Sequence, residues 1–125
     1  MSPVRAFIVE DNPVILKDLV TTLEELTPVR VVGTARTEAD AVRELEQRKE
    51  DLDLVIVDIF LASGSGLGVL ARAQALNLPM RRVVLTNYPS PDMRQRCAAL
   101  GADRLFDKSR ELDELITYCE GMPSA

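Results

Sequence analysis

The stretch LDLVIVD, residues 52–58, is a short apolar run that is interrupted only by Asp53 and ends at Asp58. The same pattern lies near the start of the chain, where the run Val4–Val9 ends at Glu10 and Asp11. Runs of this length, rich in Val, Ile and Leu and separated by amphipathic stretches, are typical of buried parallel strands that alternate with helices. The sequence therefore predicts an α/β protein built on a parallel sheet.

Two further runs end in polar residues of other kinds. Residues 83–85 are followed by Thr86, and residues 105–106 are followed by Asp107 and Lys108. In an open α/β sheet, ligands bind outside the carboxyl ends of the strands. The strand ends would therefore bring three carboxylates, one hydroxyl and one ammonium group to the same edge. A magnesium-dependent phosphoryl site needs that set.

Amphipathic stretches and one more β-branched run, Val29–Ala35, complete the pattern. The predicted helices begin after Asn12, at Thr37, after the Ser-Gly-rich loop 63–66, among residues 89–91 and at Ser109, and the third extends to Leu78. Five strands and five helices in strict alternation predict a single-domain, doubly wound (βα)5 parallel sheet of the flavodoxin-like type, with strand order 2-1-3-4-5. That order would place Asp11 and Asp58 side by side.

The composition limits the function classes. Of the 125 residues, 46% are hydrophobic, which is enough to bury one core, so a single domain over residues 1–125 is expected. A net charge of −5, with no basic run longer than two residues, argues against direct binding to nucleic acid. The chain contains no His, which excludes a Ser-His triad, an imidazole-rich metal site and a phosphohistidine on this chain.

The sequence shows neither a targeting segment nor a metal-binding cysteine pair. No apolar stretch near its start is long enough for a signal peptide or a membrane span, which predicts a cytoplasmic protein without membrane contact. The two cysteines, Cys97 and Cys119, lie in helical patterns without CxxC spacing, so buried thiols are expected rather than a disulfide.

Six elements, in this order and at these spacings, resemble the receiver domain of two-component response regulators. They are the Glu10-Asp11 pair, Asp58 after an apolar strand, Gly66 eight residues later, Thr86, the turn 101–103 and Lys108. The resemblance covers about residues 3–120 and is closest in kind to stand-alone receivers of the chemotaxis-regulator type. It implies a phospho-accepting signalling switch that catalyses only its own phosphorylation and dephosphorylation, and therefore not an enzyme in the ordinary sense.

The resemblance also implies catalytic roles for individual residues. Asp58 would be the nucleophile that forms an aspartyl phosphate. Thr86 and Lys108 would face the negative charge that develops on the phosphoryl group. Phosphoryl transfer leaves the protein little covalent work, so catalysis consists of positioning and charge neutralisation.

Mg²⁺ is the implied cofactor. Asp11 and Asp58 would bind it directly, Glu10 would bind it through a water molecule, and the backbone carbonyl of Phe60 would complete the protein ligands. Three carboxylates in one crevice repel one another, and the cation would relieve that repulsion.

Each assignment has a simpler alternative. Glu10 and Asp11 could be solvated residues that favour the N-terminus of the first helix, Thr86 a plain strand end and Lys108 a surface residue. Asp58 is different, because burial of a carboxylate among apolar residues without a partner would cost several kcal/mol.

A small α/β phosphatase or hydrolase that uses Asp58 as a turnover nucleophile is the rival function. Phe60 stands two residues after Asp58, where such an enzyme would need its general acid. A nucleotide or flavin binder is disfavoured, because the loop after the first strand is acidic and has no glycine-rich anion cradle.

The resemblance implies partners as well. The phosphoryl donor would be a histidine kinase or a histidine phosphotransfer protein that docks near the first helix and the loop after the fifth strand. The output surface, where a downstream effector binds or a homodimer forms, would consist of the fourth helix, the fifth strand and the fifth helix. Three outcomes stay open: onward relay of the phosphoryl group, binding of a protein target, or service as one domain of a longer transcription factor.

The chain departs from the usual receiver pattern near the site. Leu105 stands where many receivers have a Tyr or Phe that moves on activation, and the aromatic residue comes one place later, at Phe106. Lys108 is followed by Ser109 rather than by proline. The resemblance therefore leaves the switching mechanism open.

Overall fold

Five parallel strands and five helices alternate along the chain in the predicted order. The structure, a computed structural model, describes residues 3–123. Its strands are β1 (Val4–Val9), β2 (Val29–Ala35), β3 (Leu54–Val57), β4 (Arg81–Thr86) and β5 (Arg104–Asp107), and its helices are α1 (Pro13–Leu26), α2 (Glu38–Gln47), α3 (Gly66–Ala75), α4 (Pro91–Ala99) and α5 (Leu112–Glu120). The strands form one sheet in the order β2-β1-β3-β4-β5. The predicted doubly wound (βα)5 fold is confirmed.

The register of the strands brings the candidate residues to one edge of the sheet. Val9 at the end of β1 pairs with Val57 at the end of β3, and the Asp58 amide donates a hydrogen bond to the Val9 carbonyl at 2.9 Å. The Lys108 amide donates to the Thr86 carbonyl at 2.8 Å. The carboxyl ends of β1, β3, β4 and β5 therefore meet at the edge where an open α/β sheet binds its ligands.

Apolar side chains cover both faces of the sheet. Ile8 of β1 packs into the cluster that includes Leu23 of α1 and Leu115 of α5, whereas its neighbour Phe7 packs into the cluster that includes Leu45 of α2. This alternation follows from the pleat, which sends successive side chains to opposite faces. Full burial of each of these large side chains contributes about 1.5–3 kcal/mol. A rigid sheet therefore supports the loops at its carboxyl edge.

The two cysteines lie in this core. Cys97 of α4 and Cys119 of α5 are both buried and unbridged, as the sequence predicts. Burial raises the pKa of the Cys119 thiol to about 11, so the thiol stays protonated at neutral pH. Across residues 3–123, no helix has the length and apolar content needed to cross a membrane.

Two predicted helix boundaries are wrong. The third helix ends at Ala75 instead of reaching Leu78, because Asn77 takes a left-handed conformation, with φ of 51°, and reverses the chain. Ser109 does not cap the fifth helix, which starts at Leu112 without a side-chain cap. The Ser109 hydroxyl instead donates to Asp107 Oδ1 at 2.7 Å and closes a local turn.

Candidate functional site

Three carboxylates lie together at the ends of β1 and β3. Oxygen atoms of Glu10, Asp11 and Asp58 are all within 4.8 Å of one another. Glu10 and Asp58 are buried, with exposed fractions of 2% and 8%, and Asp11 is half-buried. The prediction that the strand order places Asp11 beside Asp58 is therefore confirmed, and Glu10 joins them.

Lys108 contacts this carboxylate cluster from the end of β5. Its ammonium group donates to Glu10 Oε1 at 2.5 Å and lies 3.3 Å from Asp58 Oδ2. Only 11% of the Lys108 side chain is exposed, so the ion pairs are shielded from bulk water. The Asn12 amide also donates to Glu10, at 3.1 Å, which fixes the second oxygen of that carboxylate.

Burial and charge act in opposite directions on the pKa values of these groups. Burial raises the pKa of Asp58 to about 6, although the charge of Lys108 favours the ionised form, and the charge of Glu10 adds to the increase. Burial also acts to raise the pKa of Glu10, but hydrogen bonds from Lys108 and Asn12 outweigh it and hold that pKa below its usual value. The site thus destabilises the ionised form of Asp58 and stabilises the ionised form of Glu10.

Thr86 ends β4 next to this cluster and is fully buried. Its hydroxyl oxygen accepts a hydrogen bond from the Tyr88 amide at 3.1 Å. The hydroxyl oxygen is therefore held by its own loop, and its hydrogen is left to donate to another group.

Two exposed aromatic side chains span the loops that follow β3 and β4. Phe60 and Tyr88 are 53% and 65% exposed, and their rings meet edge to face with centroids 5.2 Å apart. The sequence places each of them two residues after a candidate catalytic residue, but their mutual contact had no local signal. The backbone of Phe60, the predicted metal ligand, pairs with Ser65 in an antiparallel bridge.

Leu105 and Phe106 of β5 face opposite sides of the sheet. Leu105 packs against the cluster that contains Cys97 of α4, whereas Phe106 is buried in the cluster beneath α1 and α5, with its ring edge-on to Tyr118 at 6.0 Å. The aromatic side chain that follows Leu105 therefore cannot replace it on the α4 side.

Arg94 of α4 connects three parts of this region, which sequence reasoning missed. Its guanidinium donates to the carbonyls of Pro89 and Leu105 at 3.3 and 3.4 Å, and to Glu111 Oε1 at 3.3 Å. Such contacts join residues far apart in the chain and leave no pattern in the local sequence.

The carboxylate cluster has the donor chemistry of a divalent cation site. Hard cations such as Mg²⁺ and Ca²⁺ take oxygen ligands, and Mg²⁺ is often held by only one or two carboxylates with water in the remaining positions. The cluster brings three carboxylates together against the one ammonium group of Lys108 that pairs with them, so a cation would offset the remaining negative charge. Glu10, Asp11 and Asp58 therefore offer the oxygen ligands that a divalent cation requires.

Comparisons with known proteins show the family to which the chain belongs. The family model of the response regulator receiver domain matches residues 6–120. The virulence factors putative positive transcription regulator BvgA of Bordetella pertussis is 34% identical over 118 residues, which cover 94% of this chain and 55% of BvgA. A putative transcriptional regulator of Pseudomonas aeruginosa is 34% identical over 112 residues, 90% of this chain and 53% of that protein. The chain thus spans about half the length of these curated relatives.

A solved structure shows the same fold at lower sequence identity. A DNA-binding response regulator of the LuxR family from Staphylococcus aureus superposes with a TM-score of 0.83 and 21% identity, over 91% of this chain and 93% of that one. These matches do not favour the rival hydrolase. The chain belongs to the response regulator receiver domain family, the phospho-accepting signalling switches of two-component systems.

Proposed function

We propose that Asp58 is the residue that receives the phosphoryl group, and that the donor is the phosphohistidine of a kinase or a phosphotransfer protein. The observation that carries the proposal is the position of the Asp58 carboxylate, buried beside two further carboxylates and 3.3 Å from the Lys108 ammonium. At neutral pH, above a pKa of about 6, this carboxylate is mostly ionised and can act as a nucleophile.

The transfer forms one bond and breaks one. An oxygen of Asp58 attacks phosphorus, a P–O bond forms, and the P–N bond to the donor imidazole breaks with its electron pair remaining on nitrogen. The imidazole, protonated on its other nitrogen, leaves as the neutral base. Lys108 pairs with the transferred phosphoryl oxygens, and the Thr86 hydroxyl, whose oxygen accepts from the Tyr88 amide, donates its hydrogen to them.

Mg²⁺ is the cation that we propose for the carboxylate cluster. Asp11 and Asp58 would hold it directly, Glu10 through water and Phe60 through its backbone carbonyl, because Mg²⁺ retains several waters and needs few protein ligands. When bound, the ion neutralises the charge that three carboxylates and a phosphoryl group would otherwise place together.

The donor would dock beside α1 and the loop between β5 and α5. A cavity of about 330 Å³ opens there, lined by Ile15 and Asp18 of α1 and by Lys108 and Ser109 of the loop. A donor docked there would bring its imidazole phosphate toward Lys108, which lies 3.3 Å from Asp58.

We propose that α4, β5 and α5 form the output surface for an effector or a second copy of the chain. The relatives named above are transcription regulators, so control of transcription through a further domain or partner is the output that we propose.

Incubation with acetyl phosphate and Mg²⁺, followed by intact-mass spectrometry, tests the proposed function. We expect one phosphate per chain that hydroxylamine removes, as it removes acyl phosphates, and that does not form without Mg²⁺. Continuous release of inorganic phosphate without an accumulated phosphoprotein would support the hydrolase instead and contradict the proposal.

The aromatic pair of Phe60 and Tyr88 should lengthen the life of the phosphorylated state. The two rings lie in contact between the loops that follow Asp58 and Thr86, so they shield an acyl phosphate on Asp58 from water. Replacing both with serine should shorten the phosphoprotein lifetime severalfold, measured by mass spectrometry after the donor is removed. Leu26→Ser, which removes an exposed apolar side chain from the far end of α1, is the control. An unchanged lifetime in the double variant would refute the shielding role.

Phosphorylation should change the structure at the start of α4 more than that of β5. A movement of Thr86 toward a phosphoryl group would carry along the Tyr88 amide that it binds, whereas the side chain of Leu105 has no polar atom or ring to present. Pro89 and Pro91 restrict the intervening loop to few conformations. Beryllofluoride, as a stand-in for the phosphoryl group, should shift backbone amide signals of residues 86–97 most. Larger shifts over residues 103–107 with a quiet α4 would contradict this expectation.

A further inference from the structure

Residues 59–65, which lie in the loop between β3 and α3, form a turn whose two ends are joined by backbone contacts. The Gly66 amide donates to the Ile59 carbonyl at 2.8 Å, and Phe60 pairs with Ser65 in an antiparallel bridge. Because this loop starts directly after Asp58, its conformation fixes where the Phe60 backbone lies relative to the carboxylate cluster. A group that holds the Ser65 end of the loop therefore also holds the Phe60 end.

The N-terminus of α2 holds that Ser65 end. The Ser65 amide donates to Glu38 Oε1 at 2.9 Å, and the Glu38 amide donates to the Ser63 carbonyl at 3.1 Å. Thr37, just before Glu38, pairs with Ser63 in a parallel bridge. Glu38 thus contacts the loop through both its backbone and its side chain, across 27 residues of chain.

Two glycines provide the space for the Glu38 side chain. A methyl group on Gly64 or on Gly68 would overlap Glu38, and at Gly68 it would overlap the carboxylate itself. Gly64 also has a φ of +79°, which other residues rarely adopt. Gly68 lies inside α3, where glycine lowers helix stability relative to alanine. What glycine provides at this position is the space that the Glu38 carboxylate occupies. The half-buried carboxylate is therefore seated against the start of α3 and the loop.

We propose that Glu38 is a positioning residue for the phosphoacceptor site. Its carboxylate holds the Ser65 amide, and through the Phe60–Ser65 bridge it keeps the Phe60 backbone in place to bind the cation beside Asp58. The inference rests on the proposed function, because it presumes that a cation binds at this cluster. It adds to that function a residue on a different helix, which touches neither the cation nor the phosphoryl group.

Glu38→Ala and Glu38→Gln separate this role from a general effect on folding. The alanine variant loses the acceptor of the Ser65 amide, and we expect about fivefold weaker Mg²⁺ binding by calorimetry and a similar loss in the rate of phosphorylation by acetyl phosphate. The glutamine variant keeps a side-chain carbonyl oxygen as acceptor and should restore both to near the parent values. Glu46→Ala, at an exposed glutamate of the same helix, is the matched control and should change neither.

Gly68→Ala tests the same contact without removing Glu38. Alanine favours the helix interior, so the melting temperature should not fall, but the new methyl group displaces the carboxylate. We expect the loss of Mg²⁺ affinity seen with Glu38→Ala, and no additional loss when the two changes are combined. This variant also decides the matter if Glu38→Ala does not fold.

The outcomes separate the positioning role of Glu38 from the proposed function of Asp58 as phosphoacceptor. Parent-like Mg²⁺ affinity and phosphorylation rate in Glu38→Ala or in Gly68→Ala would overturn the positioning role, while the parent still binds Mg²⁺ and accepts phosphate. A parent chain that does neither would instead overturn the proposed function.

Discussion

Replacing Asp58 with asparagine should abolish phosphorylation by acetyl phosphate. The amide has nearly the shape of the carboxylate and can occupy the same space between Lys108 and the other acids, but its oxygen is not a nucleophile at neutral pH. We expect the mass of the variant to stay unchanged under conditions that fully label the parent. Labelling of the variant to the same stoichiometry and with the same hydroxylamine sensitivity would refute the assignment.

Asp51→Asn is the matched control for this experiment. Asp51 lies before the opposite end of β3 with 80% of its side chain exposed, so its replacement removes the same charge without touching the site. Labelling of this control should equal that of the parent.

Stability gives an independent check that the Asp58 variant is folded. The pKa of Asp58 is raised to about 6 in the folded chain, above its ordinary value of 3.8, so its ionisation opposes folding increasingly as the pH rises between these values. The neutral amide escapes this penalty. Without Mg²⁺, the asparagine variant should therefore melt above the parent at pH 7, and the difference should vanish below pH 3.8.

Replacing Asp11 with alanine should weaken Mg²⁺ binding by at least about tenfold. One unit charge at 4 Å from another contributes up to about 4 kcal/mol at an effective dielectric constant of 20, and water replaces only part of that attraction. Calorimetry or NMR shifts must report the binding, because the chain has no Trp. The phosphorylation rate at low Mg²⁺ should fall in parallel.

Asp18→Ala controls for the loss of one negative charge near the site. Asp18 is an exposed residue of α1 and is not part of the carboxylate cluster. If Asp11→Ala bound Mg²⁺ as tightly as the parent and the Asp18 variant, Asp11 would not be a ligand.

The fold and most of the candidate site could be predicted because they depend on local patterns. Apolar runs of four to six residues identify β1 and β3, and the polar residue after each run must lie at the carboxyl edge once the strands are parallel. Asp11 and Asp58 then follow from strand order alone. The Asn12 cap of α1 is equally local, because its side chain accepts from amides two and three residues later.

The contacts that could not be predicted join residues from distant elements. The prediction that Ser109 caps α5 was wrong, because the Ser109 hydroxyl donates to the Asp107 side chain instead. Glu111, the residue before α5, accepts hydrogen bonds from Arg94 of α4 and from the Asp107 amide. The position of the Glu38 side chain depends on the space beside Gly68, which belongs to another helix. The sequence patterns of α2 and α3 give no sign of this contact. Such pairings are decided by tertiary packing, which local propensity does not contain.

Locating the phosphate on the chain decides whether Asp58 is the phosphoacceptor. Borohydride converts an aspartyl phosphate to homoserine, so tandem mass spectrometry of the reduced and digested protein reads the phosphorylated position. We predict homoserine at position 58 after treatment with acetyl phosphate and Mg²⁺, and unmodified aspartate there when Mg²⁺ is omitted. Homoserine at position 11, or a stable phosphate on a hydroxyl residue with position 58 unmodified, would show that Asp58 is not the phosphoacceptor.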